Sequence, residues 1–452
     1  MITTLLVPIG AVVFLSLNRF YQFTVLSLAA LLPFSFGNFR SIPNFQFIEW
    51  MPILVFLLLI NEFIIINKAR SKEKRLNFNG LQIFIFSILI LIIWAAISYF
   101  QNEVFTTYYT NMANTGKTRI YFTIINNIIL YFSVSIFIVQ YFEQIDFQKF
   151  FKTLLYIALF LGFLRIIAHF LDFNIPFLSG AFDYGGEYGK YRKIQYGGTA
   201  YRLGGLSEVV IIGIPSLFAI YVSDKKINYF ALLSLLFFLF LSGGRTVLIG
   251  TFVSIFIVSF FFFPRNFIYL IGVGALFVIA AAIFLPESVL QGQTGRLTTL
   301  DAGNFMGQDA FRGLAWKFYI ETFLENPIFG KGINVYSGFI FSSVRNAEEF
   351  ARDLLFAGGH GSYFSLLAIF GIGGITYFIL FEFGAIILSF SKIKYFFDTN
   401  QTLTSISVFA FMMLIIKSVD FITAVNGINV PILFYLAGVI SSVKIYQNKF
   451  GL

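Results

Sequence analysis

His360 is one of two histidines in a chain with no cysteine. It stands in Gly358-Gly359-His360-Gly361-Ser362-Tyr363, where a polar stretch gives way to a long apolar run. A helix start favours the neutral imidazole, the state a general base needs before it acts; an ordinary interfacial histidine is the alternative reading. Arg245 closes the turn Leu241-Ser242-Gly243-Gly244-Arg245-Thr246 between two apolar segments. Its guanidinium is a two-pronged donor suited to phosphate, and snorkelling to lipid phosphates is the plainer role. Arg312 opens a helical pattern that also carries Trp316, and Lys331 lies in the turn Pro327-Ile328-Phe329-Gly330-Lys331-Gly332, whose glycines permit close backbone approach to a ligand. The absence of cysteine removes thiolate nucleophiles, disulfides and zinc-thiolate sites, and two histidines cannot build a histidine metal cluster. No metal and no cofactor is expected, so any chemistry rests on His, Arg, Lys, Asp, Glu, Tyr or Ser.

These residues need elements to hold them. The 452 residues are 58% hydrophobic and only 12% charged, half the roughly 25% of a soluble domain, which excludes a soluble enzyme and a disordered chain. The fold class expected is all-α, a polytopic transmembrane bundle forming one integral membrane domain over 1–452, with about 12–13 spans. Apolar runs near 2–17, 20–36, 48–66, 81–100, 120–142, 151–171, 206–222, 228–241, 246–263, 267–285, 361–390, 403–422 and 430–444 supply them. Met1 is followed directly by apolar sequence, without the basic start or cleavage site of a signal peptide.

The 31 Lys and Arg against 22 Asp and Glu give a net charge of +9. Lys68, Arg70, Lys72, Lys74 and Arg75 form the densest basic run and are placed in the cytoplasm; alternation then puts Lys149, Lys152, Lys225, Lys226, Arg265, Lys392, Lys394, Lys444 and Lys449 on the same side. Two long polar loops, 172–205 and 286–360, fall outside, and an amphipathic pattern over 311–325 predicts an interfacial helix in the second. Both loops still hold cations, among them Arg202, against the positive-inside rule. An anionic ligand explains that excess, and pairing with acids of the same loops is the alternative. Tyr191, Tyr196 and Tyr201 alternate with glycines in the first loop and offer ring faces to sugars, or simply pack it over the helices. Glu208 could orient an arginine or act as a second acid or base. Arg165 and His169, four residues apart, share one face of a span and suit a supporting role. Lys417 and Asp420, three apart, are expected to pair with each other.

Ser-Gly-Gly-Arg between two spans, Arg312 followed by Trp316, then Asn-Pro-Ile-Phe-Gly-Lys-Gly, then His360 before an apolar helix carrying Phe370-Gly371-Ile372-Gly373-Gly374, resembles the O-antigen polymerase and O-antigen ligase superfamily. The resemblance covers about 206–390. It departs at Gly361, where the family commonly has Asn, and at Gly244, where it commonly has Ser. By position it implies that His360 is the catalytic base and that Arg245 and Arg312 bind a lipid diphosphate; Arg202, from the first loop, is a further candidate for that binding. It further implies a bacterial inner-membrane glycosyltransferase with its site facing the periplasm, whose donor and acceptor are undecaprenyl-diphosphate-linked oligosaccharides.

The leading expectation is a metal-independent polymerase that joins lipid-linked repeat units with inversion at the anomeric carbon, with membrane lipids and a chain-length regulator as expected partners and no nucleic acid. A ligase acting on lipid A core or protein is the runner-up. A flippase for the same lipid is a third reading, disfavoured because the charge is concentrated in the outer loops rather than along a central path.

Overall fold

An unsatisfied backbone N–H or C=O is costly in hydrocarbon, so a chain this apolar closes its hydrogen bonds within each segment. The computed structural model describes residues 13–31, 77–101, 117–171, 205–242, 244–264, 267–269, 272, 310–330, 362–422 and 431–452. Among them no strand occurs, and the helices are α1 (Arg19–Leu31), α2 (Gln82–Gln101), α3 (Lys117–Tyr141), α4 (Phe147–Phe170), α5 (Leu206–Asp224), α6 (Tyr229–Ser242), α7 (Arg245–Phe262), α8 (Ala310–Glu325), α9 (Ser362–Phe396), α10 (Gln401–Asp420) and α11 (Pro431–Phe450). Segments of α3, α4, α5, α9 and α10 are long and apolar enough to cross a membrane, and α2, α6 and α7 contain shorter apolar stretches. The protein is an all-α polytopic bundle. The spans expected near 48–66 and most of 267–285 lie outside the described residues, as do 172–204 of the first loop and most of 286–360.

The core is centred on α5, buried along most of its length and packed by α4, α6 and α10. Lipid tails are as apolar as leucine, so helices associate through close packing rather than through a hydrophobic drive. Small residues serve that end. At Gly213 of α5 a Cβ would come within 2.4 Å of Leu235 in α6, and at Gly250 of α7 within 2.9 Å of the Ile416 backbone in α10. Between α3 and α11 a Cβ at Gly438 would stand 2.8 Å from the Tyr131 carbonyl. Ser135 Oγ bonds the Gly438 carbonyl at 3.2 Å there, and the Tyr131 hydroxyl lies 3.0 Å from Ser441 Oγ.

The basic ends of several helices gather at one end of the bundle. Lys152 at the start of α4 pairs with Asp224 at the end of α5, 3.2 Å apart, and Lys225 lies over the Phe397 ring just after α9. Lys392 near the end of α9 bonds Gln447 of α11, and the neighbouring Asn448 reaches the Asn79 carbonyl ahead of α2 at 2.8 Å. Lys68 to Arg75 and Arg265 lie outside the described residues.

The single span expected over 361–390 is not one helix. In an unbroken helix Tyr363 and Glu382, 19 positions apart, would be separated by about 28 Å. Instead the Tyr363 hydroxyl lies 3.1 Å from both Glu382 carboxylate oxygens. The chain folds back at Gly371, whose φ of 61° and ψ of −149° belong to a region open essentially to glycine alone. Residues 362–370 make a half-helix of about 13 Å, under half of the ~30 Å hydrocarbon thickness. They pack against residues 372–396, so that a Cβ on Gly374 would stand 3.1 Å from the Leu366 carbonyl. Hydropathy alone cannot register this break, because Gly371 interrupts the backbone without interrupting the apolar composition.

Candidate functional site

Opposite the basic end, two helices begin on glycines. Gly205, at a φ of 85°, precedes α5, and Gly244 precedes α7; neither helix start is capped by a side chain. The two starts adjoin, since a Cβ on Gly244 would lie 3.7 Å from Ser207 Cβ. Helix N-termini carry partial positive charge and free first-turn N–H groups, and a glycine cap leaves that end open to an anion from outside. The turn is held by Ser242, whose Oγ donates to the Leu239 carbonyl at 2.7 Å and accepts from the Gly244 amide at 3.2 Å. Arg245 is the first residue of α7, and its backbone therefore stands where the two positive ends meet. Glu208 lies in the first turn of α5 and accepts from Ser207 Oγ at 3.0 Å.

The start of α7 is fastened to the last turn of α10. Thr246 Oγ1 donates to Asp420 Oδ1 at 3.1 Å, and Asp420 Oδ2 pairs with Lys417 Nζ at 2.9 Å. The expected pairing of Lys417 with Asp420 is thus present, with a third partner that no sequence spacing announces. Both charged side chains are largely withdrawn from solvent, at 18% and 16% exposure, so each compensates the desolvation of the other.

The fold-back is pinned from two sides. Ile372 donates its amide to the Pro327 carbonyl at 2.8 Å, and Trp94 of α2 donates its indole N–H to the Ile328 carbonyl at 3.0 Å. Gly330, at a φ of 68°, meets the chain around Gly371 backbone to backbone: a Cβ there would fall 2.4 Å from the Ile369 carbonyl oxygen. The close approach expected of this turn is made, but toward Gly371 rather than toward a ligand. Trp316 of α8 packs on Phe364 of the half-helix with ring centroids 5.0 Å apart, which joins α8 to the same body. Arg312 sits one turn before Trp316 on α8.

The remaining expected residues divide plainly. Arg165 and His169 lie one turn apart near the end of α4. His360, Arg202, Lys331, Tyr191, Tyr196 and Tyr201 lie outside the described residues. His360 precedes the first residue of the half-helix by two positions.

Sequence reasoning passed over Glu382 and Tyr363. Glu382 is 1% exposed, and it accepts from Ser418 Oγ and from the Tyr363 hydroxyl. A lone carboxylate inside a long apolar run is itself a functional signal, and that rule applied to 361–390 would have found it.

The segment 230–379, from the start of α6 to the middle of α9, matches the family model described as O-antigen ligase, a family of glycan-transferring membrane enzymes. It contains Arg245, Arg312, Trp316, Lys331 and His360. No curated protein matches the chain.

Proposed function

We propose that the protein polymerises lipid-diphosphate-linked oligosaccharide repeat units into a surface polysaccharide at the outer face of the cytoplasmic membrane. What supports glycan transfer of this kind is the O-antigen ligase match over 230–379, which includes the Arg245 helix start and the sequence leading into the half-helix. The donor's anomeric carbon is already activated by its diphosphate, so neither a nucleotide nor a metal is required. An acceptor hydroxyl attacks that carbon as His360 takes its proton; the bond to the diphosphate oxygen breaks, and the electron pair leaves with the diphosphate. Arg245, at the meeting of two helix N-termini, with Arg312 and Arg202, stabilises the charge developing on the departing group. Direct displacement inverts the anomeric centre. Trp316 and the tyrosines Tyr191, Tyr196 and Tyr201 hold sugar rings, with Glu208, Arg165, His169 and Lys331 in support.

Transfer of the finished glycan to lipid A core or protein is the second reading, favoured because the matching family is described as O-antigen ligase. Donor and chemistry are common to both, and only the acceptor differs. His360→Ala and Arg245→Ala in cells that assemble the glycan test the site. Chain growth on gels should stop while the protein is still made and inserted, and normal chain length in both would refute the catalytic assignment. Deleting the gene separates the readings: a single repeat on the core supports the polymerase, and free lipid-linked polymer supports the ligase.

A further inference from the structure

We propose that Glu382 is a positioning residue for the transfer reaction, holding the half-helix 362–370, whose first residue follows the proposed base His360 by two positions in sequence, against the last turn of α10. The inference rests on the reading of His360 as the base. It draws on residues beyond the segment matched by the family, which ends at 379.

Glu382 is almost wholly buried, and among the described residues it forms no ion pair. Its partners are hydroxyls. The Tyr363 O–H lies 3.1 Å from each carboxylate oxygen and 3.1 Å from the Ser418 carbonyl, and Ser418 Oγ donates to Oε1. Tyr363 is on the half-helix, Glu382 on the returning arm and Ser418 on α10, so one carboxylate ties three segments. A buried carboxylate satisfied by neutral donors is a poor way to gain stability, because its desolvation cost is large. It is a good way to fix a distance, because the acceptor sites demand specific donors.

The distance that is fixed bears on the proposed chemistry. Tyr363 lies three residues after His360, and the α10 turn that holds it also holds Thr246 through Asp420, next to Arg245. Two contacts on one helical turn therefore set the spacing between the start of the half-helix and the helix start assigned to the diphosphate. A displacement near 1 Å of a group in a transfer reaction costs up to about a hundredfold in rate.

The test uses the full chain in lipid nanodiscs, with lipid-diphosphate-linked oligosaccharide extracted from cells that assemble the glycan as both donor and acceptor. Because the chain has no cysteine, spin labels at Leu367→Cys and Ile422→Cys report the distance between the half-helix and the end of α10. Tyr363→Phe and Glu382→Ala should each broaden that distance distribution and lower kcat about ten- to a hundredfold, with KM for the donor within about twofold. Glu382→Gln, which still offers Tyr363 an acceptor, should restore most of both. Unchanged distance and rate would overturn the proposal, and so would lost activity with an unbroadened distance, since Glu382 would then act on substrate directly. Should His360→Ala retain full transfer, the reading of the base falls, while the distance measurement still decides whether Glu382 clamps the half-helix.

Discussion

The two ends of the bundle carry polar groups in different ways. At the basic end, Lys152 and Asp224 meet at 40% and 32% exposure, where water and salt can stand in for either partner. At the other end, Asp420 bridges Lys417 and Thr246, and Glu382 bridges Tyr363 and Ser418, with water largely excluded from both carboxylates. The first arrangement marks an end of the helices and tolerates substitution. The second specifies where one helix stands relative to another, and each missing partner leaves a buried group unsatisfied. Charge count alone would have ranked the ends in the opposite order of importance.

The difference can be broken most severely at the fold-back. Gly371→Val should cost about 3–5 kcal/mol, since a Cβ there meets the Ile328 carbonyl oxygen at 2.5 Å on a backbone of positive φ. Thermal unfolding of the purified protein should show a large loss of Tm, and a shift within error would mean that the half-helix does not fold back. Asp420→Ala should cost about 2 kcal/mol, by leaving Lys417 withdrawn from water without its partner. It should also slow glycan transfer by freeing Thr246. A variant as stable and as fast as the parent would erase the contrast between the two ends.

Lys152→Ala, at the exposed end, should cost only about 0.5 kcal/mol, should lose even that effect at high salt, and should leave chain length on gels unchanged. The smallest effect is expected at Gly244. A Cβ there lies 3.5 Å from Ser242 Oγ in ordinary contact, and φ is −83°, so Gly244→Ser should fit and stabilise α7 by a few tenths of a kcal/mol. Because the family this chain resembles commonly carries Ser here, KM for the lipid-linked donor should change little; a large rise would argue that the diphosphate needs this helix start uncapped.

Composition and apolar run length suffice to announce an all-α membrane bundle, because hydrocarbon admits few other ways of satisfying a backbone. The Lys417 and Asp420 pair was legible too, since three positions on one helix put two side chains side by side. Thr246 as the third member was not, because it joins helices 174 positions apart. The fold-back escaped for another reason. Gly371, Gly373 and Gly374 read as small residues within an apolar stretch, and only the contact with Gly330 and the packing of Trp94 on Gly373 show that they make room for other segments. Of the site, the arginine helix start and its glycine turn were readable locally, whereas Glu382 acquires its role from partners 19 and 36 positions away.

The fold-back also constrains how the protein can be made. A segment of span length, apolar in most positions but for Glu382, presents itself to the insertion machinery as one membrane helix, yet the anchors that bend it emerge from the ribosome at different times. Pro327 and Ile328 are synthesised before Gly371, so the turn itself can form early. Ser418 follows Tyr363 by 55 residues, so the clamp closes only after α10 has been threaded into the bilayer. The half-helix 362–370 therefore cannot complete its contacts until α10 is in place.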